Sequence, residues 1–256
     1  MKKQYLIMAL SILLIVSLSG CKAKEKIDID ETTVPTSTTQ VSTTTAPETI
    51  AVSASLEANE ATYKEAHITI KFPQLSGLGD ETLENQINAI IREAAISGIE
   101  GNGIQRENDN ASIEYSVKSL NKKMIVIIFS GKKLQSSGTS TISFEYYLTL
   151  NLTTGKTVRL TNYISAASLC ELLINGSNYQ VISDDTVLQS KIKDYITNGN
   201  MDNYADLFEN ADFSGNSSDP FPAVFSYDDN GTIVLRIPVS DDLGGYATLS
   251  FVPSTK

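Results

Sequence analysis

The sequence contains 256 residues, among them 20 lysines and arginines, 30 aspartates and glutamates, one histidine, two cysteines and no tryptophan. Its net charge of −10 argues against nucleic-acid binding, because phosphate recognition needs a basic face. One histidine excludes a multi-histidine metal site, and two cysteines are too few for a structural zinc cluster or a disulfide framework.

The N-terminal segment is typical of a secretory signal. Two lysines precede an apolar run at residues 5–16, and this run is followed by Leu18-Ser19-Gly20-Cys21. These four residues resemble a bacterial lipobox, in which the cysteine is lipidated and the chain is cleaved just before it. We predict that residues 1–20 are a lipoprotein signal peptide and that Cys21 carries the lipid. A plain signal peptide, or an uncleaved anchor with a chance cysteine, is the alternative.

A spacer is predicted between the signal and the folded part, at residues 21–54. Residues 31–47 include eight threonines and two serines, and such a run buries too little apolar surface to fold. An O-glycosylated stalk is the alternative interpretation. Without Lys2 and Lys3 the mature chain would have 18 basic and 30 acidic residues, a net charge of −12. We expect it to be lipid-anchored at the cell membrane and to face outside the cytoplasm.

The first folded half is predicted at residues 55–165. Alternation at residues 66–72 predicts a strand that Pro73 ends, and Asp80 is expected to cap a helix that closes near Gly98. Short connections favour an antiparallel meander for the strands that follow, since parallel pairs need long crossovers. These strands are predicted at residues 113–117, 124–129 and 142–150, with a turn at 151–156 leading into a short strand at 157–160.

The second half, predicted at residues 166–256, combines helices with a hairpin. Helices are predicted at residues 165–174, 184–196 and 204–209. The Asn230-Gly231 pair predicts the hairpin turn between strands at 224–227 and 232–239, and a last strand is expected at 246–252. Segregated strands and helices predict an α+β fold, an antiparallel sheet meander with packed helices in one compact unit of two similar-sized halves.

Several of these segments resemble known extracytoplasmic domains. Phe72-Pro73-Gln74-Leu75-Ser76-Gly77-Leu78, Ile87-Asn88 and the meander end Thr154-Gly155-Lys156 resemble the domain beside the catalytic unit of PdaC-type peptidoglycan deacetylases. The C-terminal half, with Ile237-Pro238-Val239 and Gly244-Gly245-Tyr246, resembles RsiV-type domains. The resemblance covers most of residues 66–252, and its motifs are structural.

The resemblance implies a binding module. In RsiV-type proteins this domain belongs to a membrane anti-sigma factor and binds lysozyme, and in PdaC-type proteins it accompanies a domain that acts on cell-wall glycan. We expect this chain to have neither a cytoplasmic segment for a sigma factor nor a deacetylase domain, whose metal needs aspartate and histidine ligands.

Three candidate sites have plain structural alternatives. We expect His67 to lie exposed on the polar face of a strand, with a Ser/His/Asp site as the alternative. Cys170 is expected to be a buried small hydrophobic residue, with a catalytic thiol as the alternative. Gly155-Lys156-Thr157 resembles the end of a P-loop, but Leu150 occupies the position of the required first glycine, so a hairpin turn is expected.

Charged pairs are the remaining candidates. Asp184-Asp185, Asp228-Asp229 and Asp241-Asp242 offer oxygen atoms of the kind that calcium binds, but none fits an EF-hand loop. We expect Asp184 to cap a helix and Asp228-Asp229 to form a turn, which leaves Asp241-Asp242 as the strongest calcium alternative. Flanking charges guard an apolar strand against aggregation, and contact with an anionic wall polymer is the alternative. Such charges surround residues 124–129, at Lys122, Lys123, Lys132 and Lys133.

The sequence therefore predicts a non-catalytic cell-envelope lipoprotein. No catalytic residue, metal ligand or cofactor is expected, and the sequence selects no ligand-binding residue. The resemblance implies a lysozyme-like protein or peptidoglycan as the ligand, and neither nucleic acid nor nucleotide is expected. The acidic net charge suits a cationic partner such as lysozyme. A structural or accessory lipoprotein that acts through another envelope protein is the first alternative, and a hydrolase is the second.

Overall fold

The computed structural model describes residues 55–134, 140–199 and 201–253. The signal peptide predicted at residues 1–20, the lipidation site Cys21 and the spacer at 21–54 lie outside the described residues. The described residues belong to one compact unit, and the fold is α+β, as predicted. Within the described part of the chain, no helix is long and apolar enough to cross a bilayer.

The first sheet has six strands in the order of the sequence, and its antiparallel meander β3–β4–β5 confirms the prediction. Strands β2 and β3 pair in parallel, with the long helix α1 in the connection between them. The elements are β1 (Glu57–Glu65), β2 (Ile68–Ser76), α1 (Glu81–Gly101), β3 (Asn110–Leu120), β4 (Met124–Leu134), β5 (Thr141–Asn151) and β6 (Lys156–Thr157).

Two differences from the prediction concern the edge of this sheet. Strand β1 was not predicted, because its sequence is largely polar and its side chains lie at the surface of an edge strand. The prediction that Pro73 ends the next strand is wrong, since β2 continues to Ser76. Proline is tolerated there because β3 pairs only with residues Ile68 to Ile70, so the later part of β2 has a strand on one side alone.

Helix α1 begins as predicted and ends later than predicted. The Asp80 side chain accepts a hydrogen bond from the Leu83 backbone N–H at 3.0 Å, which makes it the N-cap. The expectation that the helix closes near Gly98 is wrong, since it continues to Gly101. Gly98 is required by packing instead: a Cβ atom there would lie 2.2 Å from the Tyr146 hydroxyl oxygen.

The second sheet has four antiparallel strands in the order β7-β10-β9-β8. Its hairpin turns at Asn230 and Gly231, whose φ angles of 57° and 90° confirm the predicted Asn-Gly turn. Three helices pack on one face, against a core that includes Ile233, Leu235 and Ile237. The elements are α2 (Ala166–Ile174), β7 (Gln180–Val181), α3 (Thr186–Thr197), α4 (Met201–Glu209), β8 (Phe225–Asp229), β9 (Thr232–Pro238) and β10 (Tyr246–Phe251).

Aromatic rings join the two halves of the fold. Phe225 and Tyr227 of β8 belong to the core of the first sheet and lie 6.4 and 5.0 Å from the Tyr147 ring. Tyr146 stacks on Phe129 with the ring centroids 4.9 Å apart. The two faces of β8 and β9 therefore pack into two different hydrophobic cores. One core is shared with the first sheet, and the other lies beneath helices α2–α4.

Candidate functional site

His67 lies in the tight turn between β1 and β2, and not on the strand face where the sequence placed it. Its side chain is exposed, and its carbonyl oxygen accepts a hydrogen bond from Ala111 N–H at 3.2 Å. It borders a shallow depression of about 300 Å³, and the described residues that line it include Ser112, Lys132 and Lys133 and no carboxylate side chain. The arrangement therefore offers a histidine next to a serine without the acid of a triad.

Cys170 and the Gly155-Lys156-Thr157 segment have the structural roles expected of them. Cys170 is buried in α2, and burial raises the pKa of its thiol, which disfavours the reactive thiolate. Gly155 has a φ of 66° in the turn between β5 and β6, and Lys156 and Thr157 form the short strand β6. The segment is a hairpin turn.

The expectation that four lysines all flank β4 is wrong for two of them. The four are Lys122, Lys123, Lys132 and Lys133. Lys132 and Lys133 lie within the strand, which extends to Leu134. Lys133 is buried, and its ammonium group donates hydrogen bonds to the carbonyl oxygens of Asn102 at 2.6 Å and Gly103 at 3.2 Å. It therefore holds the end of α1 against the sheet.

The acidic pairs act in turns and caps. Asp185, and not Asp184 as predicted, caps α3 by accepting hydrogen bonds from the N–H groups of Val187 and Leu188. Asp228 accepts a hydrogen bond from Gly231 N–H in the hairpin turn, as expected. Among the residues that the structure describes, no three His, Cys, Asp or Glu side chains are grouped to hold a metal ion.

An open cleft of about 690 Å³ lies beside α3, and we call it the α3 cleft. One wall is a stripe of α3 and the residues just after it, since positions three to four apart share one helix face. The other wall is the segment between β9 and β10, and the floor includes Tyr204 and Leu207 of α4. The lining residues are Lys191, Asp194, Tyr195, Asn198, Gly199, Tyr204, Leu207, Pro238, Val239, Ser240, Asp242 and Leu243.

Two carboxylates and two aromatic rings line this cleft. Asp194 belongs to α3 and Asp242 to the segment between β9 and β10, and neither forms an ion pair within 4 Å with any residue in the described ranges. Tyr195 is 41% exposed, while Tyr204 is buried and stacks on Phe208 at 5.8 Å. The surface thus combines unpaired negative charge with aromatic faces, the combination that attracts a basic side chain.

Gly199 is needed for the shape of the α3 cleft. A Cβ atom at this position would lie 2.3 Å from a ring carbon of Tyr204. Burial, together with the nearby Tyr195, Tyr179 and Cys170, raises the pKa of Tyr204 to about 12, so its hydroxyl stays neutral at physiological pH. The floor of the cleft is therefore an uncharged ring held close to the backbone.

A buried carboxylate, Asp212, was not singled out from the sequence. One of its oxygen atoms accepts hydrogen bonds from Leu160 N–H at 2.7 Å and from the Ser226 hydroxyl at 2.6 Å, and the other accepts from Ser226 N–H at 2.5 Å. Its φ of 61° is rare for a residue with a side chain, although aspartate tolerates it better than most. Asp212 thereby joins the segment before α2 to strand β8.

The stability of the fold should fall as Asp212 ionises. Burial raises the pKa of Asp212 to about 6 from the usual 3.8, and its hydrogen bonds and Arg159 offset part of this rise. The folded protein holds this proton more tightly than the unfolded chain does. The contribution of the protonated Asp212 to the free energy of unfolding is therefore complete below pH 3.8 and is lost as the pH rises through about 6. We expect the free energy of unfolding to lose about 1 kcal/mol from this group between pH 5 and pH 7.

Urea unfolding of residues 51–256 measures this effect, with Asp212→Asn as the reference that does not titrate at this position. The difference in free energy between the parent protein and the variant should shrink as the pH rises from 5 to 7. An equal difference at both pH values would contradict the assignment.

No model of a known protein family matches the chain, and no curated protein does either. Several solved chains match it, among them the following two. A member of the DUF3298 family from Bacteroides fragilis is 15% identical, with a TM-score of 0.44, and the match covers 78% of this chain and 91% of that one. A DUF3298 family protein from Pseudomonas aeruginosa is 11% identical, with a TM-score of 0.31, and the match covers 71% of this chain and 80% of that one. Both belong to a family of unknown function.

Proposed function

We propose that this chain is a non-catalytic binding lipoprotein of the cell envelope, anchored through Cys21, and that the α3 cleft holds a basic side chain of a lysozyme-like protein. The observation that carries the proposal is the pair Asp194 and Asp242, which lack ion-pair partners among the described residues and lie beside two tyrosine rings. The anchor and the extracytoplasmic location rest on the lipobox pattern alone.

In this proposal, side chains from both walls of the α3 cleft bind one cation. A guanidinium or ammonium group that enters the cleft gains charge-assisted hydrogen bonds from the carboxylates and a cation–π contact from Tyr195. Lys191, the one basic side chain among the described residues of the lining, offsets one of the two negative charges. The net charge of −10 adds long-range attraction, which raises the association rate more than the final affinity.

The test is the binding of hen-type lysozyme to residues 51–256 at low and at physiological salt. We expect a complex of micromolar affinity or better that survives physiological salt. Binding that disappears with salt would be attraction between opposite net charges and would contradict a specific site. Absence of binding at both salt concentrations would overturn the lysozyme-like partner.

A paired substitution locates the site. Asp194→Asn combined with Asp242→Asn should weaken lysozyme binding about tenfold, since each partly exposed charge pair contributes up to about 1 kcal/mol. The control is Glu57→Gln combined with Glu107→Gln, which removes the same charge from exposed positions outside the cleft. Equal weakening by both pairs would show that only net charge matters.

An accessory lipoprotein that acts through another envelope protein remains the second candidate. The observation that favours it is the exposure of two apolar side chains near the start of α3, Ile182 at 53% and Val187 at 62%. Exposed apolar side chains of this size occur at protein contacts, although single ones are common on any surface. Lysozyme binding that withstands the loss of Asp194 and Asp242 would point toward this surface.

A further inference from the structure

Arg236 is a partly buried arginine in the middle of β9. Its neighbours across the sheet are Phe225 of β8 and Thr248 of β10. The side chain lies on the sheet face opposite the helices, close to Tyr147 of β5. Burial raises the pKa of Tyr147, and the positive charge of Arg236 offsets part of that rise. Arg236 is therefore placed at the junction of the two sheets.

The guanidinium group of Arg236 has a stacking partner and an unsatisfied donor. Its central carbon lies 4.2 Å from the centroid of the Tyr246 ring, and Tyr246 is 40% exposed. Its Nε is buried and has no hydrogen-bond partner among the described residues. A buried donor without an acceptor destabilises the site.

The other arginines differ from Arg236, because each has hydrogen-bonding or ionic partners or an exposed side chain. Arg106 pairs with Glu65 and Glu100, and Arg159 donates to two backbone carbonyl oxygens. Arg92 also lies over a tyrosine ring, at 5.7 Å, but its side chain is exposed. Within the described residues no carboxylate lies within 4 Å of the Arg236 guanidinium.

Glu145, an acidic side chain that contacts Tyr147, is already engaged. Its two oxygen atoms accept hydrogen bonds from the Tyr147 hydroxyl at 2.9 Å and the Ser130 hydroxyl at 3.4 Å. Lys118, another cation beside β8, is paired with Asp229 at 3.0 Å. Arg236 therefore keeps an uncompensated positive charge in a protein whose net charge is −10.

We propose that Arg236 and Tyr246 form a binding site for a carboxylate carried on a sugar ring. Stacking occupies one face of the guanidinium, and its two terminal nitrogens can donate two parallel hydrogen bonds to a carboxylate. The exposed part of the Tyr246 ring offers a flat surface for the body of the ligand. One guanidinium matches the single charge of a carboxylate, whereas a phosphate dianion would bring a second charge with no cation to meet it.

The site shares no lining residue with the α3 cleft. Long-range repulsion between an anionic ligand and the acidic protein is largely screened at physiological ionic strength, where the Debye length is about 8 Å. The inference therefore stands or fails separately from the lysozyme-like partner. It names a carboxylate as the chemical group by which a glycan ligand would be recognised, which the sequence does not identify.

The probes are N-acetylmuramic acid and N-acetylglucosamine, two similar sugars of which only the first has a carboxylate. Each is titrated into ¹⁵N-labelled residues 51–256 at physiological salt while the arginine Nε–H signals are followed. The Arg236 signal is assigned by its loss in Arg236→Gln. The control variant is Arg92→Gln, which removes the other arginine that lies over a tyrosine.

We expect N-acetylmuramic acid to shift the Arg236 signal saturably and N-acetylglucosamine to leave it in place. The affinity should fall at least tenfold in Arg236→Gln and stay within twofold in Arg92→Gln. The proposal is overturned if no saturable shift occurs, if both sugars shift the signal equally, or if the two variants lose affinity equally. Loss of lysozyme binding in the cleft variants has no bearing on this result.

Discussion

Replacing Asp212 by alanine is expected to lower the free energy of unfolding by about 3–5 kcal/mol at pH 5. The substitution removes the acceptor for two backbone N–H groups and one hydroxyl, all of them buried. Each buried donor left without an acceptor costs about 1–3 kcal/mol. Alanine also fits the φ of 61° less well than aspartate, which adds strain to the loss of hydrogen bonds.

Urea unfolding of residues 51–256 measures this loss. Asp212→Asn keeps one acceptor oxygen and tolerates the same backbone conformation, so its loss should be about half as large. Asp206→Ala, at an exposed position on α4, should change stability by less than about 0.5 kcal/mol. A loss below about 1 kcal/mol for Asp212→Ala would show that water replaces the carboxylate and that the side chain does not hold the two segments together.

The parts of the fold that sequence reasoning predicts best are those specified by local chemistry. The cap Asp80 and the turn Asn230-Gly231 occur where expected, because the residue types that satisfy a helix start and a positive φ are few. The strands predicted at 113–117 and 142–150 lie within three residues of the observed ends of β3 and β5. The apolar run predicted at 124–129 begins with β4 and ends five residues before that strand does. Each of these signals depends on neighbours along the chain.

The elements that were missed depend on partners far along the chain. Strand β1 has no apolar alternation of its own, and it is held by nine successive pairs with β2. Asp212 gives no sequence signal, because Leu160 lies 52 residues before it and Ser226 lies 14 residues after it. Side chains of this kind become visible only when the backbone has brought their partners together.

In the candidate sites too, some residues are brought together by their spacing along the chain and others only by tertiary packing. The stripe of Lys191, Asp194 and Tyr195 could have been marked as the outer face of a predicted helix, because the spacing alone places these residues together. The opposing Asp242 could not, since it comes from a loop whose position follows from sheet packing. Arg236 and Tyr246 lie on neighbouring strands, and their contact follows from the pairing of Pro238 with Tyr246.

Gly98→Ala is expected to destabilise the protein by about 3 kcal/mol, against the usual preference of helices for alanine. In an exposed helix this change stabilises by about 1 kcal/mol. Here the new Cβ would lie 2.2 Å from the hydroxyl oxygen of Tyr146 and 2.6 Å from the ring carbon that bears it. Tyr146 is fully buried and donates a hydrogen bond to the Ala95 carbonyl at 2.9 Å, so the ring has nowhere to move without loss.

A double-mutant cycle separates this overlap from a general effect on the helix. Tyr146→Phe removes the atom closest to the new Cβ, so Gly98→Ala should cost at least about 1 kcal/mol less in that background. Ser97→Ala, one residue earlier in the same helix, should change the free energy of unfolding by less than about 0.5 kcal/mol. If Gly98→Ala instead stabilises the protein, or if its cost is unchanged by Tyr146→Phe, the close approach of Tyr146 to α1 is not what requires glycine at this position.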